Sequence, residues 1–177
     1  MITMARILVP TNLGEPSRSA VRYGVAFARQ FGAQLLLLHT MNAKDFEVAI
    51  EAERVLEQLV PATPGAPHPT RDEVVSAVAR ADLRRLLDAD EERETRADYL
   101  LRPFTDGGPD SAIVACAREL GVDLIIMGKH TIGRVEHLIA GSVTERTIRQ
   151  APCPVMILQH PQRDMVVEPP RPYAAEA

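Results

Sequence analysis

Apolar and polar positions alternate in blocks that match strands and helices in turn. Ile7-Leu8-Val9 predicts a buried strand that ends at Pro10, and the run from Leu35 to Leu38 predicts a second strand that is apolar on both faces, as in a helix-covered parallel sheet. Between the two, apolar residues recur at helical spacing: Ala20, Tyr23, Gly24, Phe27, Ala28 and Phe31. Pro16 suits the first turn of this helix, and Gly32 suits its C-terminal cap.

The middle third of the chain is less regular. Residues 43–60 carry a helical pattern, and the stretch 61–70 contains four prolines, which predicts a surface linker or loop. Residues 72–98 predict a charged helical segment whose apolar face is formed by Val74, Val78 and Ala81. Because the charges of residues 88–98 alternate in sign, we expect that run to form a solvated helix face.

The regular pattern returns near residue 99. A third strand begins at Tyr99-Leu100-Leu101, and the turn Gly107-Gly108-Pro109-Asp110 leads into a helix that Gly121 closes. The apolar face of this helix comprises Ile113, Cys116, Ala117 and Leu120. The order of elements therefore remains strand, turn and helix.

The last third completes the alternation. Asp123 to Met127 predicts a fourth strand, followed by a helix at about 142–150, a fifth strand from Val155 to Leu158 and a flexible tail over residues 161–177. Five strands alternating with helices predict an open, doubly wound parallel α/β sheet with helices on both faces. We expect residues 1–160 to form this single domain.

Ligands of doubly wound sheets bind beyond the carboxyl ends of the strands. Pro10-Thr11-Asn12 leaves the first strand, Gly128 directly follows the fourth, and Gly141-Ser142 stands at the start of the next helix. The segment between these glycines is a strand-to-helix loop of the kind that holds phosphate, with Ser142 and Thr144 as further donors. On spacing alone an alternative stays open, in which the glycines only serve the turn and Ser142 only caps the helix.

Composition narrows the classes of function. The chain has 177 residues, 46% of them hydrophobic, and a net charge of -4 from 20 Lys+Arg and 24 Asp+Glu, so it lacks the cationic excess of nucleic-acid-binding proteins. No secretion signal or membrane-spanning run is present, so we expect a cytoplasmic protein with neither a membrane nor a nucleic-acid partner. Cys116 and Cys153 predict buried free thiols, and His39 predicts a hydrogen-bonded core histidine.

No arrangement of nucleophile, base and acid stands out, so no catalytic residue is predicted. Gly128 and Gly133 have the glycine spacing of the NTPase phosphate loop, but Arg134-Val135 stand where Lys and Ser or Thr belong. His130 and His137 lack the spacing of metal ligands, so no metal site is predicted either. These residues favour a binding protein over an enzyme.

Two stretches of the sequence resemble the universal stress protein family. They are ILVPTNLGEPSRSAVRYGVAFARQFGAQLLLLH and GVDLIIMGKHTIGRVEHLIAGSVTERTIRQAPCPVMIL, and the resemblance covers about residues 4–42 and 99–159. It implies membership of the adenine nucleotide alpha-hydrolase-like superfamily and the sheet order 3-2-1-4-5. It also implies a homodimer formed through the last strand, whose residues are Val155, Met156, Ile157 and Leu158.

The same resemblance implies ATP binding, with Mg²⁺ held through the phosphates. Nucleotide-binding members carry a loop of glycine, two residues, glycine, nine residues, glycine and Ser or Thr; Gly128, Gly141 and Ser142 match it, and Thr131 replaces the second glycine. Asn12 stands where those members carry an acid, and the adenine is expected at residues 39–41. The implied nucleotide-binding residues are Pro10, Thr11, Asn12, His39, Thr40, Met41, Met127, Gly128, Lys129, His130, Thr131, Gly133, Arg134, Gly141, Ser142, Val143 and Thr144.

From this resemblance we predict a regulatory module of the stress response that binds ATP without turnover and acts through an unidentified protein partner. Two alternatives stay open. One is a nucleotide-free dimeric interaction protein whose degenerate loop is marked by Thr131, and the other is a slow ATPase that uses the same pocket. Copurified nucleotide separates the first two interpretations, and conversion of ATP to ADP or AMP identifies the third.

Overall fold

The computed structural model describes residues 3–42, 71–104, 107–128 and 142–158. Its elements, in chain order, are β1 (Arg6–Pro10), α1 (Glu15–Phe31), β2 (Gln34–Met41), α2 (Arg71–Arg84), α3 (Ala89–Thr95), β3 (Asp98–Pro103), α4 (Gly108–Glu119), β4 (Leu124–Gly128), α5 (Ser142–Gln150) and β5 (Val155–Leu158). The helical pattern of residues 43–60, the linker 61–70 and the tail 161–177 lie outside the described residues.

The five strands form one parallel sheet in the order β3-β2-β1-β4-β5. β1 lies at its centre, with Pro10 opposite Leu38 of β2 on one side and Ile7 opposite Leu124 of β4 on the other. This confirms the predicted doubly wound parallel sheet and the order that the resemblance implied. β3 starts one residue earlier than predicted, at Asp98.

Alternate residues of the central strand enter two separate apolar cores, one on each face of the sheet. Ile7 and Val9 pack against the buried residues of α1, which are Ala20, Val21, Val25 and Ala28. Leu8 points to the opposite face. It packs there with residues of α4 and α5, which are Ile113, Cys116, Ala117 and Val143. Both faces are therefore covered, as an all-parallel sheet requires. None of the helices in the described ranges combines the length and the apolar character that a membrane span needs.

Helix α1 approaches the sheet closely at Gly24. A Cβ atom there would lie 2.7 Å from Cγ2 of Val9 and 3.0 Å from Cδ1 of Leu35, so only glycine fits without a shift. As predicted, Gly32 ends the helix with a left-handed φ of 63°. The predicted core face was wrong at Phe31, which is 37% exposed. Phe31 ends the helix between exposed residues, Gln30 and Gly32, whereas Ala28 in the same turn reaches the core.

The segment predicted as one charged helix contains two helices, α2 and α3, separated by residues 85–88. The predicted apolar face of α2 was wrong at Val78, which is 36% exposed, and at Ala81, which is also exposed; the side chain of Val74 lies outside the described part of the structure. Ala79 and Leu83 are the buried residues instead. Apolar spacing alone allowed both faces of this short helix, and contact with the residues of β2 and β3 selects the face that contains Ala79.

Asp88 starts α3 with a reciprocal cap. Its carboxylate accepts hydrogen bonds from the backbone N–H groups of Asp90 and Glu91, and the Glu91 carboxylate accepts from the N–H of Asp88. The predicted solvated helix over residues 88–98 was therefore right for the charged side chains of α3 but too long. Thr95 is fully buried, and Asp98 already belongs to β3.

Candidate functional site

The pairing of β1 with β4 stops before either strand ends. Their paired residues are Ile7 with Leu124 and Leu8 with Ile125, although both strands continue beyond these pairs. The chain then leaves β1 toward α1 on one face of the sheet, whereas α5, which follows β4, lies on the opposite face. This is the switch point of a doubly wound sheet, where ligands bind. The described residues of the predicted site lie around this edge.

The β1 exit loop, residues 11–14, is held in one shape by its own hydrogen bonds. Thr11 is buried; its backbone N–H donates to the carbonyl oxygen of Leu38 (2.8 Å), and its Oγ1 accepts from the N–H of Leu13 (2.9 Å). Leu13 adopts a left-handed φ of 65°, a conformation that costs a residue with a Cβ atom about 1–2 kcal/mol. The bonds around Leu13 offset that strain, so the loop is shaped independently of a ligand.

Asn12 has its side-chain oxygen engaged within the loop. Oδ1 accepts from the N–H of Gly14 (3.1 Å) and from the hydroxyl of Ser17 (2.6 Å), and Ser17 Oγ in turn accepts from the N–H of Asn12 (3.2 Å). Because a backbone N–H can only donate, Oδ1 must face Gly14, and Nδ2 faces away from it. Asn12 is exposed. Its side chain can therefore offer N–H donors to a ligand, while its acceptor is already used. The sequence predicted Asn12 but did not indicate its Ser17 partner.

His39 joins the end of β2 to the β1 exit loop. Its Nδ1 lies 2.9 Å from the carbonyl oxygen of Thr11, so Nδ1 carries a proton and donates it. The predicted hydrogen-bonded histidine is confirmed, although His39 is only half-buried. Met41 is buried against Ala79 and Leu101, and its carbonyl oxygen accepts from the N–H of Phe104 (3.0 Å). Of the three residues predicted near adenine, His39 and Thr40 remain partly exposed.

The β4 side of the switch point ends at Gly128 and resumes at Ser142, the first residue of α5. Met127 is buried, and Val143 is half-buried in the core beneath α4 and α5. Ser142 is exposed whereas Thr144 is only 3% exposed, so the Ser142 hydroxyl is the accessible one of the two predicted donors. The other predicted residues of this loop lie outside the described residues: Lys129, His130, Thr131, Gly133, Arg134 and Gly141.

Two side-chain contacts connect α5 to α4. Nη2 of Arg146 lies 2.9 Å from Oδ1 of Asp110, a residue that is 3% exposed, in an ion pair without the alignment of a hydrogen bond, and interaction with this carboxylate raises the pKa of the Arg146 guanidinium. At the last residue of α5, the Gln150 carbonyl oxygen accepts from Nη2 of Arg118 (3.0 Å). The sequence analysis missed the Asp110–Arg146 pair because the partners are far apart in the chain. An acid in the first turn of a helix is also common for reasons of its own.

Neither cysteine has the character of a nucleophile. Burial raises the pKa of the Cys116 and Cys153 thiols, which keeps both protonated near neutral pH. Cys116 is buried as predicted, but Cys153 is only half-buried, because it lies in the turn before the edge strand β5. Within the ranges that the structure describes, no three His, Cys, Asp or Glu side chains are grouped so that they can hold a metal ion.

The chain matches one protein family over most of its length. The sequence model of the universal stress protein family matches residues 4–159. Universal stress protein MJ0577 of Methanocaldococcus jannaschii is 24% identical over 157 residues, which are 87% of this chain and 94% of the relative. The solved structure of MJ0577 aligns with a TM-score of 0.60 at 22% identity and covers 90% of this chain and 98% of its own.

Two further solved structures with this fold were determined with nucleotides. One is a universal stress protein in complex with cAMP, with a TM-score of 0.54 at 20% identity over 89% of this chain and 98% of that chain. The other is the universal stress protein from Archaeoglobus fulgidus in complex with dAMP, with a TM-score of 0.51 at 18% identity over 90% of this chain and 100% of that chain. At these identities the likeness establishes the fold alone.

Proposed function

This chain belongs to the universal stress protein family, and we propose that it is a regulatory module of that family that binds an adenine nucleotide, with ATP as the ligand. It acts by binding, without turnover, and passes the signal to a protein partner. One observation carries the proposal. The preformed β1 exit loop and the start of α5 follow the carboxyl ends of the neighbouring strands β1 and β4, whose next helices cover opposite faces of the sheet.

The chemistry of this edge suits an anionic ligand that is rich in hydrogen-bond acceptors. The first backbone N–H groups of α5 have no partner within the helix, and the helix dipole favours negative charge beside them. Ser142 adds an accessible hydroxyl, and Asn12 adds the N–H donors of Nδ2. The cAMP and dAMP bound by two proteins of this fold are ligands of that chemical kind.

In this proposal the phosphates lie along residues 128–142, the ribose near Thr11 and Asn12, and the adenine near residues 39–41. Mg²⁺ reaches the site through the phosphates. The β1 exit loop contains no carboxylate, and the Asn12 oxygen already accepts two hydrogen bonds, so this loop has no free side-chain oxygen to ligate a cation well. This loop would therefore bind ATP by donating hydrogen bonds to it, and not by ligating the cation.

A homodimer through β5 is the second part of the proposal. Val155 to Leu158 are apolar and half-buried, and among the described residues β5 is the last strand of the sheet and pairs with β4 alone. An apolar edge strand is a template for a second strand. We expect light scattering to give the mass of a dimer for the wild type and of a monomer for Ile157→Lys. A monomeric wild type would contradict this part.

The nucleotide proposal is tested by denaturing the purified protein and identifying the released small molecules by chromatography, with calorimetric titration of ATP beside it. We expect copurified adenine nucleotide or a micromolar dissociation constant. Ser142→Ala should weaken ATP binding by about threefold to tenfold, the size of one lost hydrogen bond. Arg149→Ala is the matched control, because it lies on the same helix and breaks only an exposed pair with Glu145.

The outcomes separate the three interpretations. Absence of both copurified nucleotide and measurable ATP binding would favour a nucleotide-free interaction protein. Steady conversion of bound ATP to ADP or AMP would identify a slow ATPase. Binding of intact ATP that depends on Ser142 and not on Arg149 supports the regulatory module.

A further inference from the structure

Asp110 places a carboxylate in the interior between two helices. It lies in the first turn of α4 and is 3% exposed, and its Oδ1 lies 2.9 Å from Nη2 of Arg146 in α5. The Arg146 side chain is 48% exposed, so one partner is buried and the other reaches solvent. The pair connects the helix that precedes β4 to the helix that follows it.

Stability alone does not account for such a pair. Removing a carboxylate from water carries a large free-energy cost, and the attraction of one cation returns little more than that cost. Apolar residues of similar size often replace buried ion pairs without loss of stability. What a buried pair does provide is one fixed arrangement of the two elements that it joins.

The backbone at Gly108 lies so close to the pair that a side chain there would contact it. Gly108 adopts a left-handed φ of 77°, and a Cβ atom on it would lie 3.2 Å from Asp110 Oδ1 and 3.8 Å from Arg146 Nη2. A side chain at Gly108 would therefore be strained and would also crowd the carboxylate. This close approach and the ion pair together fix the first turn of α4 against α5.

The contacts between α4 and α5 also affect the position of the first residues of α5. Arg146 lies four residues after Ser142, which is one helical turn, and Arg118 holds the Gln150 carbonyl oxygen at the other end of the nine-residue helix. These two contacts, one turn from the start and one at the end, act together with the packing of Val143 and the buried Thr147 to place α5. The direction of its first N–H groups and the place of Ser142 follow from that placement.

We propose that the Asp110–Arg146 pair positions the phosphate half of the nucleotide site by fixing the placement of α5. This inference rests on the proposed function, because it assigns the phosphates to the N-terminus of α5. Asp110 and Arg146 are positioning residues: they act through α5 and not by touching the nucleotide.

The test uses Asp110→Asn, which keeps the shape of the side chain and removes its charge. If the charge of Asp110 acted on the phosphates directly, its removal would leave ATP binding unchanged or strengthen it. Positioning predicts the opposite: ATP and AMP should bind about fivefold to tenfold more weakly, the size of a helix-terminus interaction, and adenosine, which has no phosphate, should bind within about twofold of wild type. Calorimetry measures ATP and AMP, and ligand-observed NMR measures adenosine.

Arg149→Ala is the matched control on the same helix. It breaks the exposed Arg149–Glu145 pair, and it should change none of the three affinities. Arg146→Lys should restore part of the ATP affinity lost in Arg146→Met, because it keeps a cation for Asp110. Equal weakening of ATP and adenosine in Asp110→Asn, or an unchanged affinity for ATP, would overturn the proposal.

A second measurement separates this inference from the proposed function. Amide hydrogen exchange over α5 should be faster in Asp110→Asn than in wild type and Arg149→Ala, with or without ligand. A wild type that binds no nucleotide would refute the proposed function, and the assignment to the phosphate site with it, whatever the exchange rates. A wild type that binds ATP while exchange over α5 is the same in all three proteins would refute the positioning role alone.

Discussion

At the amino ends of the strands, long-range hydrogen bonds join β1 to the segment before β4, whereas at the carboxyl ends they join β1 to β2. At the amino end, Asp123 Oδ2 accepts from the backbone N–H groups of Ala5 (2.7 Å) and Arg6 (3.0 Å), and Arg6 Nη1 donates to the Leu120 carbonyl oxygen (2.8 Å). At the carboxyl end, Thr11 and His39 join β1 to β2, Asn12 bonds Gly14 and Ser17, and the pairing of β1 with β4 has already stopped. Hydrogen bonds therefore tie β1 to the β4 side of the sheet at the amino end and not at the carboxyl end of the described residues.

This difference assigns stability to one end and binding to the other. A carboxylate that bonds two N–H groups from a distant segment can be removed only at a cost to the folded state. A loop whose shape is already fixed by its hydrogen bonds can present donors to a ligand with little rearrangement. Substitutions at the amino end should therefore lower stability and leave binding unchanged. Those in the β1 exit loop should weaken binding and have a smaller effect on stability.

Asp123→Ala should have the largest effect. It removes both charge-assisted hydrogen bonds at the amino end and should lower the free energy of unfolding by about 2 kcal/mol in urea denaturation. Asp82→Ala is the control, because Asp82 belongs to an exposed pair with Arg85 and its loss should change that free energy by less than about 0.5 kcal/mol. If Asp123→Ala weakened ATP binding and left the free energy of unfolding unchanged, the assignment of stability to the amino end would be wrong.

Tyr99, near the amino end of β3, should make stability depend on alkaline pH. Burial, together with the negative charge of Glu92, raises the pKa of Tyr99 to about 12, from 10.0. The unfolded chain releases this proton first as the pH rises, so the contribution is complete below pH 10.0 and is lost as the pH approaches 12. Between about pH 9 and about pH 11 the loss should be about 1.4 kcal/mol relative to Tyr99→Phe. The buried neutral phenol would be contradicted if the free energies of unfolding of the two proteins, measured in urea, changed equally with pH.

Asn12→Ala should have the smallest effect on stability and a clear effect on binding. Loss of the bonds to Gly14 and Ser17 should lower the free energy of unfolding by about 0.5–1 kcal/mol. The affinity for ATP should fall several-fold in calorimetry, because the loop loses its shape and the Nδ2 donors. Asn12→Asp keeps the acceptor for Gly14, so its stability should match that of the wild type. Equal stability of Asn12→Ala and Asn12→Asp would show that the loop does not need this network.

The sequence predicted the features that depend on neighbouring residues and missed those that depend on tertiary contacts. Buried parallel strands such as Leu35 to Leu38 are apolar on both faces, and a helix end at Gly32 depends on one residue, so local patterns sufficed for both. The core face of α2 failed at Val78, because contacts with β2 and β3 decide it. The sheet order came from the resemblance and not from periodicity.

The candidate site divides in the same way. Asn12 and Ser142 could be identified because they follow a strand and precede a helix in sequence. The Asn12–Ser17 bond, the bond between His39 and the Thr11 carbonyl oxygen, and the pair formed by Asp110 with a residue of α5 could not, because no spacing rule links these partners. Tertiary contacts therefore determine the shape of the site, whereas local sequence patterns indicate its position in the chain.

The most direct test of the account is a map of ATP contacts by NMR amide shifts on the wild-type protein. The account predicts shifts at both sides of the switch point, over residues 11–14 and at the start of α5 from Ser142, with smaller shifts at His39 and Thr40. Ala5, Arg6 and Asp123 at the amino end should not move. Shifts confined to the amino end, or none at saturating ATP, would contradict the claim that the carboxyl end of the sheet is the binding end.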